Sequence, residues 1–221
     1  MTTPRYKLLI GNKNWSSWSL RPWLAMSACA IPFEEINIRL RQPETKAQIL
    51  RHSPSGFVPA LIDGDLTVWD SLAIIEYLAD QHPAAGLWPE DRTARALARA
   101  ASAEMHSGFR ALRQECSMEI LAHNPMPALS PETSADVIRI VSLWLELRRR
   151  FGAGGPYLCG SFSGVDAMYA PVASRFRTYV QNLADYGDDG MAQAYVDTIF
   201  AMPEIGKWIE GARKERASAG A

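Results

Sequence analysis

The sequence predicts a small α/β domain followed by an all-helical one. Three observations lead there. The first 85 or so of the 221 residues alternate between strand-like and helical periodicity. Gln81 to Glu90 (QHPAAGLWPE) then interrupts the pattern with two prolines and a glycine, as an interdomain linker does. Beyond it, nothing reads as a strand. The expected domains are residues 1–83 and 90–221.

The elements follow in order. Tyr6 to Gly11 (YKLLIG) is a short apolar run of strand type, and Leu20 to Ala30 is dense in helix formers until Ile31-Pro32 ends it. Phe33 to Arg39 alternates apolar and polar residues as a half-buried strand does, and Pro43 to His52 has weak helical character. Val58 to Ile62 and Leu66 to Trp69 flank Asp63-Gly64-Asp65, a hairpin signal, with Pro59 placed where a strand begins. From Asp70 the period becomes helical, with Leu72, Ile75 and Ala79 on one stripe. The order is βαβαββα.

In the second half, Asp91 to Ala122 reads as one long helical stretch. Ser130-Pro131-Glu132 starts another helix, with Ser as N-cap and Pro at the first position, that reaches Phe151. Gly152 to Gly155 breaks the chain, and Ser163 to Asp166 is a capping-box start for a helix to about Leu183. Two shorter helices follow, the last from Pro203 to about Lys214.

Composition narrows the functional classes. Twenty-three basic residues balance 24 acidic ones, so no surplus of charge points to nucleic acid or a membrane surface. No run approaches the roughly 18 apolar residues of a membrane span, and the N-terminal stretch lacks a signal-peptide pattern. Cys29, Cys116 and Cys159 form neither a disulfide framework nor a CxxC pair, so they read as small buried hydrophobes in a reducing, cytoplasmic setting. The four histidines show no metal-ligand spacing, and no metal is expected.

Chemistry concentrates at two helix starts. Asn14-Trp15-Ser16-Ser17-Trp18-Ser19 puts three hydroxyls where free N–H groups and the helix dipole favour an anion such as a thiolate, although serine there is also an ordinary N-cap. Asp70-Ser71 offers a carboxylate and a hydroxyl at the second, where capping is again the simpler explanation. Together with the Val58-Pro59 strand opening and the helical second half, these pieces resemble the soluble glutathione transferases over nearly the whole chain. Ser16 to Arg21 is similar to the SSCSxR signature of the zeta class. Val58-Pro59 resembles the family's cis-proline strand, and Asp70 to Leu78 (DSLAIIEYL) resembles its (E/Q)S-x-AI-x-x-YL helix.

The resemblance implies a thioredoxin-like N-terminal domain, an all-α C-terminal domain, a homodimer, and glutathione as cosubstrate. By that analogy Val58 and Pro59 hold the cysteinyl part, while Asp70 and Ser71 hold the γ-glutamyl end. Ser16, in zeta-like alignment, or Ser17, in theta-like alignment, donates a hydrogen bond to the thiolate, with Ser16 preferred. The task is modest: a thiol pKa near ~8.5 lowered by ~2 units needs about 2.7 kcal/mol. The second substrate is expected to be a small, largely apolar electrophile lying between the domains, lined by Trp15, Trp18, Met105, His106, Phe109 and Met118, although such a stripe is also what core packing looks like. His106 and Arg110, one helical turn apart, are candidates to meet a negative charge on it. Two departures stand out: Trp18 replaces the signature's cysteine, a thiol associated with maleylacetoacetate isomerisation, and Phe57 replaces a common Gln or Lys. The implied activity is glutathione transfer. A zeta-like cis-trans isomerase and a noncatalytic glutathione- or ligand-binding protein are the alternatives.

Overall fold

The computed structural model describes residues 4–219. Four strands, β1 (Tyr6–Gly11), β2 (Phe33–Ile38), β3 (Ala60–Asp63) and β4 (Leu66–Trp69), form one sheet in the order β2-β1-β3-β4. β1 pairs parallel with β2 and antiparallel with β3, which pairs antiparallel with β4. The parallel pair requires a crossover, which α1 (Ser17–Ala28) supplies. Further helices are α2 (Thr45–Leu50) and α3 (Ser71–Gln81). The β3–β4 loop has two residues, and Gly64 takes φ +59° there, a conformation open to glycine at little cost.

A turn of 3₁₀ helix at Pro83–Ala85 lies between this part and the helices α4 (Arg92–Ser107), α5 (Arg110–Glu115), α6 (Pro131–Phe151), α7 (Gly164–Tyr179), α8 (Met191–Ala201) and α9 (Pro203–Ala219). The two parts share one apolar core. It runs from Leu8, Ile10, Leu20 and Leu24 through Ile75 and Leu78 to Trp144, Tyr169, Phe176 and Trp208. A smaller cluster of Leu9, Ile38, Ile49 and Ala60 fills the other face of the sheet, under α2. Helix α1 is buried on nearly every side, between the sheet and α7, which explains its weak amphipathic pattern in the sequence.

Three expectations need correction. The expected helix over 91–122 is two helices and an irregular segment. Gly108 leaves helical geometry, Phe109 takes φ +52°, and Asp136 accepts the Leu112 N–H at 3.0 Å. A Cβ on Gly108 would stand 2.7 Å from the Glu104 carbonyl oxygen, so the break depends on glycine. The irregular stretch from Cys116 is held by tertiary backbone bonds, from Ile120 N–H to Asn14 and from Asn124 N–H to Thr178. Strand β3 starts at Ala60, not Val58, because Pro59 has no N–H to donate to a ladder. Helix α7 ends at Tyr179, and Leu183 starts a separate 3₁₀ turn.

The start of α7 is an interior polar device. The Asp166 carboxylate, fully buried, accepts the N–H groups of Leu158 at 3.0 Å and Ser163 at 2.9 Å, closing the capping box expected from Ser163 to Asp166. Arg148 organises the preceding loop by donating to the carbonyls of Gly155 and Tyr157.

Candidate functional site

Two adjoining clefts lie where the sheet edge and α1 meet the helical part. Trp18 belongs to the walls of both. The first, about 320 Å³, is lined by Trp18, Ser55, Phe57, Val58, Pro59, Trp69, Asp70, Ser71 and His106. The Val58–Pro59 peptide is cis. Asp70 caps α3: one carboxylate oxygen accepts the N–H groups of Leu72 at 2.9 Å and Ala73 at 3.2 Å. Its other oxygen meets His106 Nε2 at 2.5 Å, a contact that ties α4 to the start of α3. Ser71 is 1% exposed, and its hydroxyl has no partner within the described residues. A buried unpaired hydroxyl at a helix N-terminus fits an incoming carboxylate, which supplies the missing acceptor and matches the dipole.

The second cleft, about 360 Å³, has a different character. Its walls are Trp15, Ser17, Trp18, Arg41, Arg110, Arg113, Gln114, Ser117, Met118 and Arg175. Four arginines and no carboxylate among its lining residues give it a positive character, in contrast to the apolar lining expected from sequence. Arg41 lies over the Trp15 ring at 4.7 Å, and Arg113 over Trp18 at 5.4 Å. The guanidiniums are therefore held against aromatic faces.

The two serines differ in surroundings. Ser16 donates to Ser19 Oγ at 2.7 Å, and that oxygen also accepts the Gly11 N–H, so the Ser16 proton is engaged inside the α1 start. Ser17 lines the second cleft. Its carbonyl accepts from Arg21 Nη1 at 3.0 Å and its Oγ from Arg175 Nη2 at 3.3 Å. Arg21 and Arg175 are both buried; Arg21 Nε donates to the Met168 carbonyl while its Nη2 has no partner among the described residues, and Arg175 donates to the carbonyls of Cys116 and Pro171. Burial, followed by the like charge of Arg113, pulls the Arg175 guanidinium down to about 10, so it stays protonated at neutral pH. Burial, then Arg175, also pulls Arg21 down.

The remaining sequence candidates separate. His106 lines the first cleft against Asp70 and not the second, where an anionic substrate would lie. Arg110 does line the second. Met105 and Phe109 are buried in the core, Met105 completely, so neither forms a cleft wall; their helical spacing marks packing. Arg41, Arg113 and Arg175 escaped sequence reasoning. Arg175 had a signal, a single cation within the apolar run from Met168 to Phe176, whereas Arg41 sits in a loop with none.

All three cysteines have thiols pushed up by burial, to about 11 for Cys29 and Cys116 and about 12 for Cys159, which makes them poor nucleophiles. Among the described residues no group of three or more His, Cys, Asp or Glu is placed to hold a metal ion, and no helix is long and apolar enough to cross a membrane.

Residues 15–81 match the family model described as glutathione S-transferase, N-terminal domain. A probable maleylacetoacetate isomerase of Caenorhabditis elegans is 33% identical over 106 residues, 48% of this chain and 50% of that protein. Glutathione S-transferase Z2 of Arabidopsis thaliana is 35% identical over 95 residues, 42% of this chain and 43% of that one. The matched segment thus spans about half the length of these curated relatives. Among solved structures, a glutathione transferase homolog from Burkholderia with bound glutathione superposes with a TM-score of 0.72 at 21% identity, covering 95% of this chain and 98% of that one. A sphingomonad glutathione S-transferase complexed with glutathione superposes at 0.63 with 27% identity, over 93% and 98% of the two chains.

Proposed function

We propose that this protein binds glutathione in the first cleft and activates its thiol for attack on a small electrophile in the second, because residues 15–81 match the glutathione S-transferase N-terminal domain and the chain shares the fold of solved glutathione transferases. The buried, unpartnered Ser71 hydroxyl at the start of α3 carries this reading. It receives the γ-glutamyl carboxylate, while Asp70, already held by two helix N–H groups, faces the α-amino group. His106 shares the Asp70 carboxylate and keeps it aimed across the domain boundary. Val58 and Pro59 hold the cysteinyl part, which brings the sulfur toward Trp18, the wall shared with the second cleft where Ser17 lies.

At the sulfur, the α1 N-terminus and one serine hydroxyl favour the thiolate over the thiol, whose proton passes to solvent. Ser17 is our choice for that hydroxyl, in place of the Ser16 favoured by sequence alignment, because the Ser16 proton is committed to Ser19. In transfer, the thiolate forms a carbon–sulfur bond as the leaving group departs with its electron pair.

The arginines of the second cleft favour a more specific reading as well. They suit an electrophile that carries carboxylate groups, and a substrate of the maleylacetoacetate type has them. There the thiolate adds to the activated double bond, rotation follows, and elimination regenerates the thiolate, with no cysteine required from the chain. Three unpaired cysteines support a reducing, cytoplasmic setting, and the exposed Leu66 and Trp69 on β4 support a homodimer.

Two measurements test the proposal. Glutathione binding by calorimetry is expected, with Ser71→Ala weakening it about tenfold, the value of one hydrogen bond to a charged group, and leaving the melting temperature unchanged. Wild-type binding that is absent, or indifferent to Ser71, removes glutathione from this cleft. Initial rates with chloronitrobenzene and with maleylacetone then separate transferase from isomerase, and neither reaction at saturating glutathione favours a binding protein.

A further inference from the structure

Ser17 is gripped from two sides by cations that form no ion pair with a carboxylate among the described residues. Arg21, fully buried, donates to its carbonyl, and Arg175, 3% exposed, donates to its Oγ from a helix 158 residues further along the chain. We propose that Arg175 is the positioning residue for the activating hydroxyl: by occupying a lone pair of Ser17 Oγ, it turns the Ser17 proton toward the cleft as a directed donor to the glutathione sulfur. This rests on the proposed function and adds to it a residue that acts through Ser17 without touching the sulfur.

The geometry supports the assignment in three ways. A serine hydroxyl rotates freely unless a partner fixes it, and the Arg175 N–H can only donate, so Ser17 must answer as acceptor on that side and as donor elsewhere. The guanidinium is itself immobile, since its Nε donates to the Cys116 carbonyl at 2.9 Å and its Nη1 to the Pro171 carbonyl at 3.0 Å. Finally, a hydroxyl already hydrogen-bonded to a cation is a stronger donor, because the electron density drawn from its oxygen is drawn from its O–H bond as well. Arg113 and Arg110 on α5, Arg41 after β2 and Arg21 on α1 add positive potential around the same point, so the charge of Arg175 and its hydrogen bond must be separated experimentally.

The experiment is an ultraviolet titration near 240 nm of glutathione bound to the wild type, Ser17→Ala, Arg175→Lys and the double variant, with glutathione affinity and near-ultraviolet circular dichroism measured on each. Lysine keeps the charge but cannot span Cys116, Pro171 and Ser17 as the planar fork does. Ser17→Ala and Arg175→Lys are each expected to raise the ionisation midpoint of the bound thiol by about 1 pH unit, a tenfold loss of thiolate on the acid side, and the double variant no further than Ser17→Ala alone. An unchanged midpoint in folded Arg175→Lys overturns the inference, and so do shifts that add in the double variant, which mean that Arg175 acts on the thiol independently of Ser17. A wild-type thiol that titrates like free glutathione overturns the proposed function itself; a wild-type thiolate with a silent Arg175→Lys overturns only the positioning role. If Arg175→Lys does not fold, Arg175→Gln, which retains an amide donor, serves in the same comparison.

Discussion

Replacing Asp166 with alanine is expected to cost the protein at least about 3 kcal/mol of stability at pH 7. The carboxylate is fully buried and accepts two backbone N–H groups, those of Leu158 and Ser163. Loss of a capping residue costs about 1 kcal/mol, and each buried donor left without a partner about 1–3 kcal/mol more. Against a typical total of about 5–15 kcal/mol this is a large fraction. The cost also depends on pH. Burial raises the Asp166 carboxyl to about 6, against the opposing effect of its hydrogen bonds, from an unfolded value near ~3.9. The folded state therefore binds the proton more tightly. Its stabilising contribution is complete below the unfolded value and is lost as pH rises through the folded one, amounting to about 3 kcal/mol between roughly pH 4 and pH 6 at 1.36 kcal/mol per unit. Urea midpoints of wild type and Asp166→Ala at pH 4.5 and pH 7 are the measurement: the gap between the two proteins is expected to be wider at pH 4.5. A gap that is narrower there would mean that the carboxylate is buried as an anion and that its hydrogen bonds outweigh burial.

Arg113→Ala is expected to raise KM for a carboxylate-bearing second substrate by about tenfold or more and to leave chloronitrobenzene conjugation within about twofold. A charge-assisted hydrogen bond is worth about 1.5–3 kcal/mol, and the partial exposure of this cleft puts the expectation at the lower end. Arg113 suits the test better than Arg175, which also holds Ser17 and two carbonyls. It donates to the Gly108 carbonyl at 3.2 Å and lies over Trp18, with no carboxylate to release it from the cleft. An equal loss for charged and neutral substrates would show that Arg113 serves the shape of the Trp18 wall and not the substrate's charge. Higher salt is expected to weaken the anionic substrate selectively, since exposed charge is screened within about 8–10 Å.

The legible and illegible parts of this molecule divide by the range of the interactions that make them. The hairpin at Asp63-Gly64, the Asp70 cap of α3 and the Ser163–Asp166 box each rest on contacts within four residues, and the sequence displayed them all. The break at Gly108-Phe109 was missed because, beside the local need for glycine, tertiary contacts hold it: Asp136, 24 residues beyond Leu112, accepts the Leu112 N–H, and Asn14 and Thr178 hold the chain that follows. Met105 and Phe109 were read as cleft residues for a related reason, since periodicity reports which face of a helix is apolar and not whether core or cleft lies beneath it.

The sequence by itself determined the α/β-then-α architecture, the order of the N-terminal elements and the pairing of hydroxyls with helix starts, while the cis Val58–Pro59 bond followed only from the family resemblance. Only the tertiary structure decided the character of the second cleft and which serine faces it. Arg41, Arg113 and Arg175 come from a loop, α5 and α7, and they converge because α1 packs between the sheet and α7. The charge of a site is a sum over residues that folding makes neighbours, and no local pattern carries that sum.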